Sequence, residues 1–153
     1  MLTAINPTSS SIDLSWNPGG TELDWEYVVQ PQGTGVPTGS GNAIDTNMFT
    51  ESGLQVNTAY EVYVRSFCDV TEQSPWVGPV NFRTLCETVT DFSQNFDSVT
   101  TPAMPDCWSK VLSDGVSTFA SVGSDTSNFT APYSIELYNS NSLSKSISIF
   151  PSP

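Results

Sequence analysis

The stretch LQVNTAYEVYVR, residues 54–65, ends in a run of strictly alternating side chains. In this run Tyr60, Val62 and Val64 alternate with Glu61, Tyr63 and Arg65. A repeat of two residues is typical of a half-buried β-strand, because successive side chains of a strand point to opposite faces. The run therefore predicts a strand with one face in a core and the other toward solvent.

The same alternation recurs elsewhere in the first half of the chain. Strand candidates cover residues 12–16, 23–29, 44–50 and 77–84, and a connection rich in Gly, Pro and Thr covers 32–42. No segment shows a 3.6-residue repeat, and Pro and Gly recur too often for long helices. Short strands separated by turn residues predict an all-β protein built on an antiparallel sandwich.

Four landmarks in residues 1–85 resemble those of a fibronectin type III domain. They are Trp16 at the end of the second strand, LQVNTAY at 54–60, SPW at 74–76 and FRT at 82–84. The resemblance implies that Trp16 packs between two sheets and that Leu54 closes the base of the core. It also implies that the Tyr60 hydroxyl bonds to backbone a few residues upstream. These implied roles are structural, and the same sandwich hosts many unrelated functions.

Residues 86–153 resemble the N-terminal part of a MAM-like or cleaved-adhesin jelly-roll module of Bacteroidetes-like exported surface proteins. The resemblance rests on Phe96-Asp97, on Cys107-Trp108 and on strand-like runs at 131–138 and 143–150. A jelly roll has eight strands, whereas about 65 residues hold four or five. We therefore expect a truncated module, 86–153, after the sandwich, 1–85.

The composition excludes several classes of function. Sixteen acidic residues face four basic ones, a net charge of −12, which disfavours nucleic acid and anionic membranes as partners. The excess acid suits solubility outside the cell, or calcium binding. The chain has no histidine, the commonest general base and zinc ligand. We expect no membrane insertion, and we expect any export signal to lie on a longer parent chain.

The three cysteines leave one without a partner. In this sandwich the strand order puts Cys68 near the chain start and Cys86 at the opposite end, more than ~20 Å away. A disulfide needs Cα atoms within about 7 Å, so these two should not pair. We predict a Cys86–Cys107 bridge, with Cys68 unpaired in this chain. The alternative is three free, partly buried thiols.

Two kinds of binding site are open to this sequence. Asp91, Asp97 and Asp106 are candidate calcium ligands in the second module, and no other cofactor is expected. Tyr63, Phe67, Trp76 and Tyr138 are candidate exposed aromatics for stacking on sugar rings, or for packing against a neighbouring module. The carboxylates of Glu22, Asp24 and Glu26 project from one face of a predicted strand, which predicts a solvated face in preference to a calcium or acid–base site.

These observations favour a non-catalytic adhesion module of an exported bacterial surface protein, located at the cell surface or outside the cell. Its partners would be a cell-surface glycan or protein and the neighbouring modules of a longer chain. The alternative is an inert spacer attached to a secreted hydrolase or peptidase. Adhesion requires a contiguous exposed aromatic patch, whereas a spacer requires only a conventional surface and a stiff linker at 84–90.

Overall fold

The computed structural model describes residues 1–69, 72–88, 96, 99–100, 103–112, 118–123, 134–139 and 147–151, with side chains over 1–67, 72–88, 96, 99–100 and 103–108. The chain divides into two compact units, Met1–Glu87 (unit 1) and Thr88–Pro153 (unit 2). The described residues contain strands and no helix, which confirms the all-β prediction.

Unit 1 contains eight strands among its described residues. They are β1 Leu2–Ile5, β2 Ser11–Trp16, β3 Trp25–Pro31, β4 Asn42–Ile44, β5 Met48–Ser52, β6 Ala59–Asp69, β7 Glu72–Gln73 and β8 Val77–Arg83. One sheet has the order β1-β2-β5, and the other has the order β4-β3-β6-β7 with β8 also paired to β6. All of these pairs are antiparallel, so unit 1 is a two-sheet sandwich.

The single strand predicted at 44–50 is wrong. The structure has two strands there, and they belong to different sheets: β4 pairs with β3, and β5 pairs with β2. Asp45, Thr46 and Asn47 carry the chain from one sheet to the other. Ile44 and Phe49, on the two sides of this crossing, both pack against the same core.

The core lies between the two sheets and centres on two tryptophans. The Trp16 and Trp25 rings meet edge to face with centroids 5.9 Å apart, and Phe49 lies 6.1 Å from Trp16 on another side. Ile12 and Leu14 are fully buried beside them. The predicted position of Trp16 between the sheets is confirmed.

A tyrosine corner holds the turn before β6, as the resemblance implied. The Gln55 backbone N–H donates to the Tyr60 hydroxyl over 2.9 Å, and the Tyr60 ring stacks on Phe82 at 5.5 Å. Leu54 packs against the core, as expected. Thr84 is buried, and its hydroxyl donates to the Gln55 carbonyl over 2.6 Å. The turn before β6 and the end of β8 are therefore joined through hydrogen bonds.

Unit 2 contains four described strands in two antiparallel pairs. Strand β9 Trp108–Leu112 pairs with β12 Ile147–Pro151, and β10 Thr118–Gly123 pairs with β11 Ser134–Asn139. Before β9, the ring of Phe96 meets that of Trp108 edge to face at 5.6 Å. The jelly-roll assignment of this unit stays a prediction.

Replacing Tyr60 by Phe should lower the free energy of unfolding of unit 1 by about 1 kcal/mol, because the Gln55 N–H loses its acceptor. Tyr63→Phe is the matched control: it removes a hydroxyl from the opposite face of the same strand, where no hydrogen bond is seen among the described residues. Urea unfolding of the full chain, followed by tryptophan fluorescence, measures both. Equal losses in the two variants would contradict the corner's role.

Candidate functional site

The aromatic side chains predicted to bind a ligand do not form an exposed patch. Tyr63 is only 2% exposed, so its prediction as an exposed contact is wrong. The backbone at Gly78 lies directly on its ring: a Cβ placed on Gly78 would stand 2.8 Å from the Tyr63 Cδ1. Only glycine allows this approach, and it closes the face that alternation assigned to solvent.

The remaining aromatic candidates are partly buried, or their side chains lie outside the described residues. Phe67 and Trp76 are half-buried. The Arg65 guanidinium stands 4.3 Å from the Trp76 ring centroid, a cation–π contact. The side chain of Tyr138 lies outside the described residues. Among the described side chains, the most exposed large apolar ones are aliphatic or methionine: Met1, Ile5, Leu23, Val36, Met48, Val56, Val77 and Leu85.

The connection between β3 and β4, residues 32–41, lies over the outer face of the β3–β6 sheet. We call it the cover segment. Its first anchor is Glu61. One carboxylate oxygen accepts the Gly33 N–H at 3.0 Å, and the other accepts the Gly35 N–H at 2.7 Å. The Gln30 amide donates both to Glu61 at 2.9 Å and to the Gly35 carbonyl at 2.6 Å.

The second anchor is the pair Glu26 and Arg65. The Arg65 Nη2 lies 2.6 Å from a carboxylate oxygen of Glu26, and that same oxygen accepts the Gly41 N–H at 3.2 Å. Arg65 also donates to the Gly39 carbonyl at 3.4 Å. The backbone of Gly41 packs tightly, because a Cβ there would stand 2.5 Å from the Tyr27 carbonyl oxygen and 2.9 Å from the Trp76 ring.

These contacts bury two carboxylates that alternation placed on a solvated face. Glu26 is 5% and Glu61 is 4% exposed. The expected stripe of Glu22, Asp24 and Glu26 is also wrong, because β3 begins only at Trp25 and the first two residues precede it. Buried carboxylates require donors, and here backbone N–H groups and Arg65 supply them. In the sequence, only the concentration of glycine in the cover segment pointed toward this arrangement.

Hydrogen bonds to Glu61 from Gln30 and from the backbone of Gly33 and Gly35 lower the pKa of its carboxyl below the usual 4.5, against an opposing effect of burial. The pKa of Asp13 is also lowered, by hydrogen bonds from Thr50 and Asn6. On the inner face, burial and the neighbouring Glu51 carboxylate raise the pKa of Tyr27 to about 12. This site can hold a loop by charge-assisted hydrogen bonds.

The structure describes only one of the three predicted calcium ligands. Asp106 is exposed, and Asp91 and Asp97 lie outside the described residues. Within the described part of the chain, no group of three or more acidic or cysteine side chains is arranged to hold a metal ion. Calcium binding by Asp91, Asp97 and Asp106 stays a prediction.

Two cysteines are in the predicted oxidation state: Cys86 and Cys107 are each disulfide-bonded. The side chain of Cys68 lies outside the described residues, so its unpaired state stays a prediction. Nor does any described segment form a helix that could cross a membrane.

A two-sheet sandwich with a buried inter-sheet tryptophan and a tyrosine corner defines the immunoglobulin-like class of β-sandwich domains. A family model described as "Fibronectin type III domain" matches residues 1–83, more than half of the chain. The chain therefore belongs to the fibronectin type III family.

Among solved structures, a domain of a human collagen is similar to this chain. The structure titled "Solution structures of the fn3 domain of human collagen alpha-1(XX) chain" is 23% identical, with a TM-score of 0.49, over 60% of this chain and 88% of that chain. No curated protein matches the sequence. Fibronectin type III domains are generally non-catalytic and are typically modules of larger chains.

Replacing Gly41 by Ala should displace the cover segment and lower stability by about 1–3 kcal/mol, because the added methyl group meets the Tyr27 carbonyl and Trp76. Gly39→Ala is the matched control, since a Cβ there meets nothing within 4 Å. It should change stability by less than about 0.5 kcal/mol. Thermal unfolding of the two full-length variants checks this, and similar melting points would contradict the close approach.

The lowered pKa of Glu61 gives the stability of unit 1 a pH dependence. A carboxyl whose pKa is lower in the folded state stabilises the fold above its unfolded pKa, and that contribution is lost as pH falls through the folded pKa. Stability should therefore decline as pH falls below about 4.5. In Glu61→Gln the decline should be shallower but still present, because Asp13 contributes in the same direction. Urea unfolding between pH 6 and 3 measures the slopes, and parallel slopes would contradict the assignment.

Proposed function

We propose that this chain is a non-catalytic structural segment of an exported protein made of several modules, with unit 1 acting as a spacer. The cover segment carries the proposal. The carboxylates of Glu26 and Glu61 accept hydrogen bonds from this loop and hold it over the sheet face. A face closed in this way offers stability and shape, and Tyr63 beneath Gly78 is withdrawn from contact with any partner.

The junction after β8 also suits a spacer. The Leu85 N–H donates to the Thr8 carbonyl over 2.8 Å, and the Leu85 carbonyl accepts the Asn57 N–H at 3.1 Å. Arg83 donates to the Asn57 carbonyl and side chain. Because both backbone groups of Leu85 are bonded to unit 1, the direction in which the chain leaves the sandwich is set by the sandwich itself.

Two further observations support export. Disulfide-bonded cysteines are typical of oxidising compartments outside the cytosol, and Cys86 and Cys107 are both in that state. The resemblance of residues 86–153 to a MAM-like or cleaved-adhesin module supports a bacterial surface protein as the parent. We propose that Cys86 and Cys107 pair with each other, across the start of that module.

Adhesion to a glycan or protein is the second candidate, and the partial exposure of Phe67 and Trp76 favours it. Planar aromatic faces can pack on the apolar faces of sugar rings. The spacer is the better supported of the two functions, because Arg65 already covers one face of Trp76.

A glycan array probed with the full chain separates the two functions. The spacer predicts no bound glycan, with or without calcium. Binding that is lost in Trp76→Ala or Phe67→Ala, and kept in Phe82→Leu at a position packed against the core, would replace the spacer by adhesion. Melting curves with and without 5 mM calcium accompany the array (about the weak end of extracellular calcium sites). A calcium shift lost in Asp97→Asn would establish the calcium site without bearing on adhesion.

A further inference from the structure

The end of unit 1 where β1 begins and β6 ends, which we call the first pole, contains a cavity of about 300 Å³ that opens to solvent. Its walls include the Trp16 and Trp25 rings and Val64, and the polar residues that line it include Glu22, Arg65, Ser66 and Ser74. Sites for drug-sized ligands span about 300–1,000 Å³. The cavity is at the small end of that range, so it suits one or two side chains better than an oligosaccharide.

Trp16 gives this cavity an unusual wall. The residue is 5% exposed, and its indole Nε1 is buried without a hydrogen-bond partner in the described part of the chain. An unpaired buried donor is costly, and the core around Trp16 is otherwise apolar. A group that enters the cavity contacts this ring and changes the surroundings of the indole N–H.

The rim of the cavity is apolar and exposed. Of the residues that line it, Met1 is 86% and Val77 is 55% exposed. Both lie at the first pole: the Met1 carbonyl accepts the Asn17 N–H, and Val77 pairs with Val64. Exposed apolar side chains gathered round a concave site mark an interaction surface.

The charge around this rim is negative. Glu22 is half-buried and accepts the Gly20 N–H at 2.6 Å, and Asp24, Asp45 and Glu72 are exposed nearby in the loops and strand ends of the first pole. The basic side chains of residues 1–87 are Arg65 and Arg83. Arg65 is paired with Glu26, and Arg83 bonds to Asn57 at the opposite pole. The surface is therefore complementary to a positively charged partner.

We propose that the first pole binds a basic polypeptide segment, which places one of its apolar side chains in the cavity against Trp16 and Trp25 while flanking Lys or Arg side chains face Glu22, Asp24 and Glu72. This partner is additional to the spacer function: the sheet face stays closed, and only the pole is used. The two proposals fail independently, since a silent pole leaves the spacer intact.

Titration of the ¹⁵N-labelled full chain with capped Lys-Lys-Phe-Lys-Lys tests the proposal, with the Trp16 Nε1–H resonance as the readout. Saturable shifts of this resonance and of the Ser66 and Ser74 amides are expected. Replacing the peptide's Phe by Ser should weaken binding about ten-fold or more, because an apolar side chain is no longer buried. Glu-Glu-Phe-Glu-Glu should not bind, and salt near 0.5 M should weaken the Lys peptide.

Variants on the protein locate the contact. Glu22→Gln and Asp24→Asn should each weaken binding about two- to five-fold, and Val77→Ser should weaken it further. Glu87→Gln and Val56→Ser, exposed positions away from the first pole, are the controls and should leave binding unchanged. Equal binding of the Phe and Ser peptides would reduce the contact to charge alone and overturn the proposal. So would shifts centred on the opposite pole, or an unaltered Trp16 resonance at peptide saturation.

Discussion

Strand β6 is buried on both of its faces, and the arrangement of unit 1 follows from that constraint. On the inner face Val62 and Val64 pack into the core beside Trp16 and Trp25. On the outer face Glu61 and Tyr63 are also buried, although one of them carries a charge. A carboxylate can leave water only where donors replace the solvent, so burial of the outer face requires a segment of chain that brings backbone N–H groups to it.

The cover segment meets that requirement with its own backbone. Gly33, Gly35 and Gly41 donate to the two carboxylates, and Arg65 neutralises Glu26 while lying against Trp76. Residues that could otherwise have formed a binding surface are therefore part of one internal network. Carboxylates and aromatic rings on a sheet face are often read as a ligand site; in this chain their hydrogen bonds and ring contacts are already made to the chain itself.

The two ends of the sandwich also carry exposed apolar side chains. The sheet face is closed, whereas large exposed apolar side chains stand at the first pole and, with Ile5, Val56 and Leu85, at the opposite one. Modules joined in series meet at such ends. A closed side and open ends suit a segment whose contacts are made along a chain, which agrees with the fibronectin type III family.

Much of the fold of unit 1 could be predicted from the sequence, because it depends on patterns and contacts among residues that are close together in the chain. Alternation in residues 12–16 and 60–65 depends only on which face of a strand meets the core, and the Tyr60 corner is formed by residues a few positions apart. The crossing at Asp45–Asn47 was missed because the core-facing residues Ile44 and Phe49 are five positions apart, and this break in the alternation was not recognised. The burial of Tyr63, Glu26 and Glu61 was missed because it depends on Gly78 and on the cover segment, which approach from other parts of the chain. The amino-acid sequence by itself thus determined the strands and the inter-sheet core, since these follow from side-chain period and short-range bonding. Only the tertiary structure decided which sheet face is closed, because the donors that bury a charge are backbone groups that no side-chain pattern reveals.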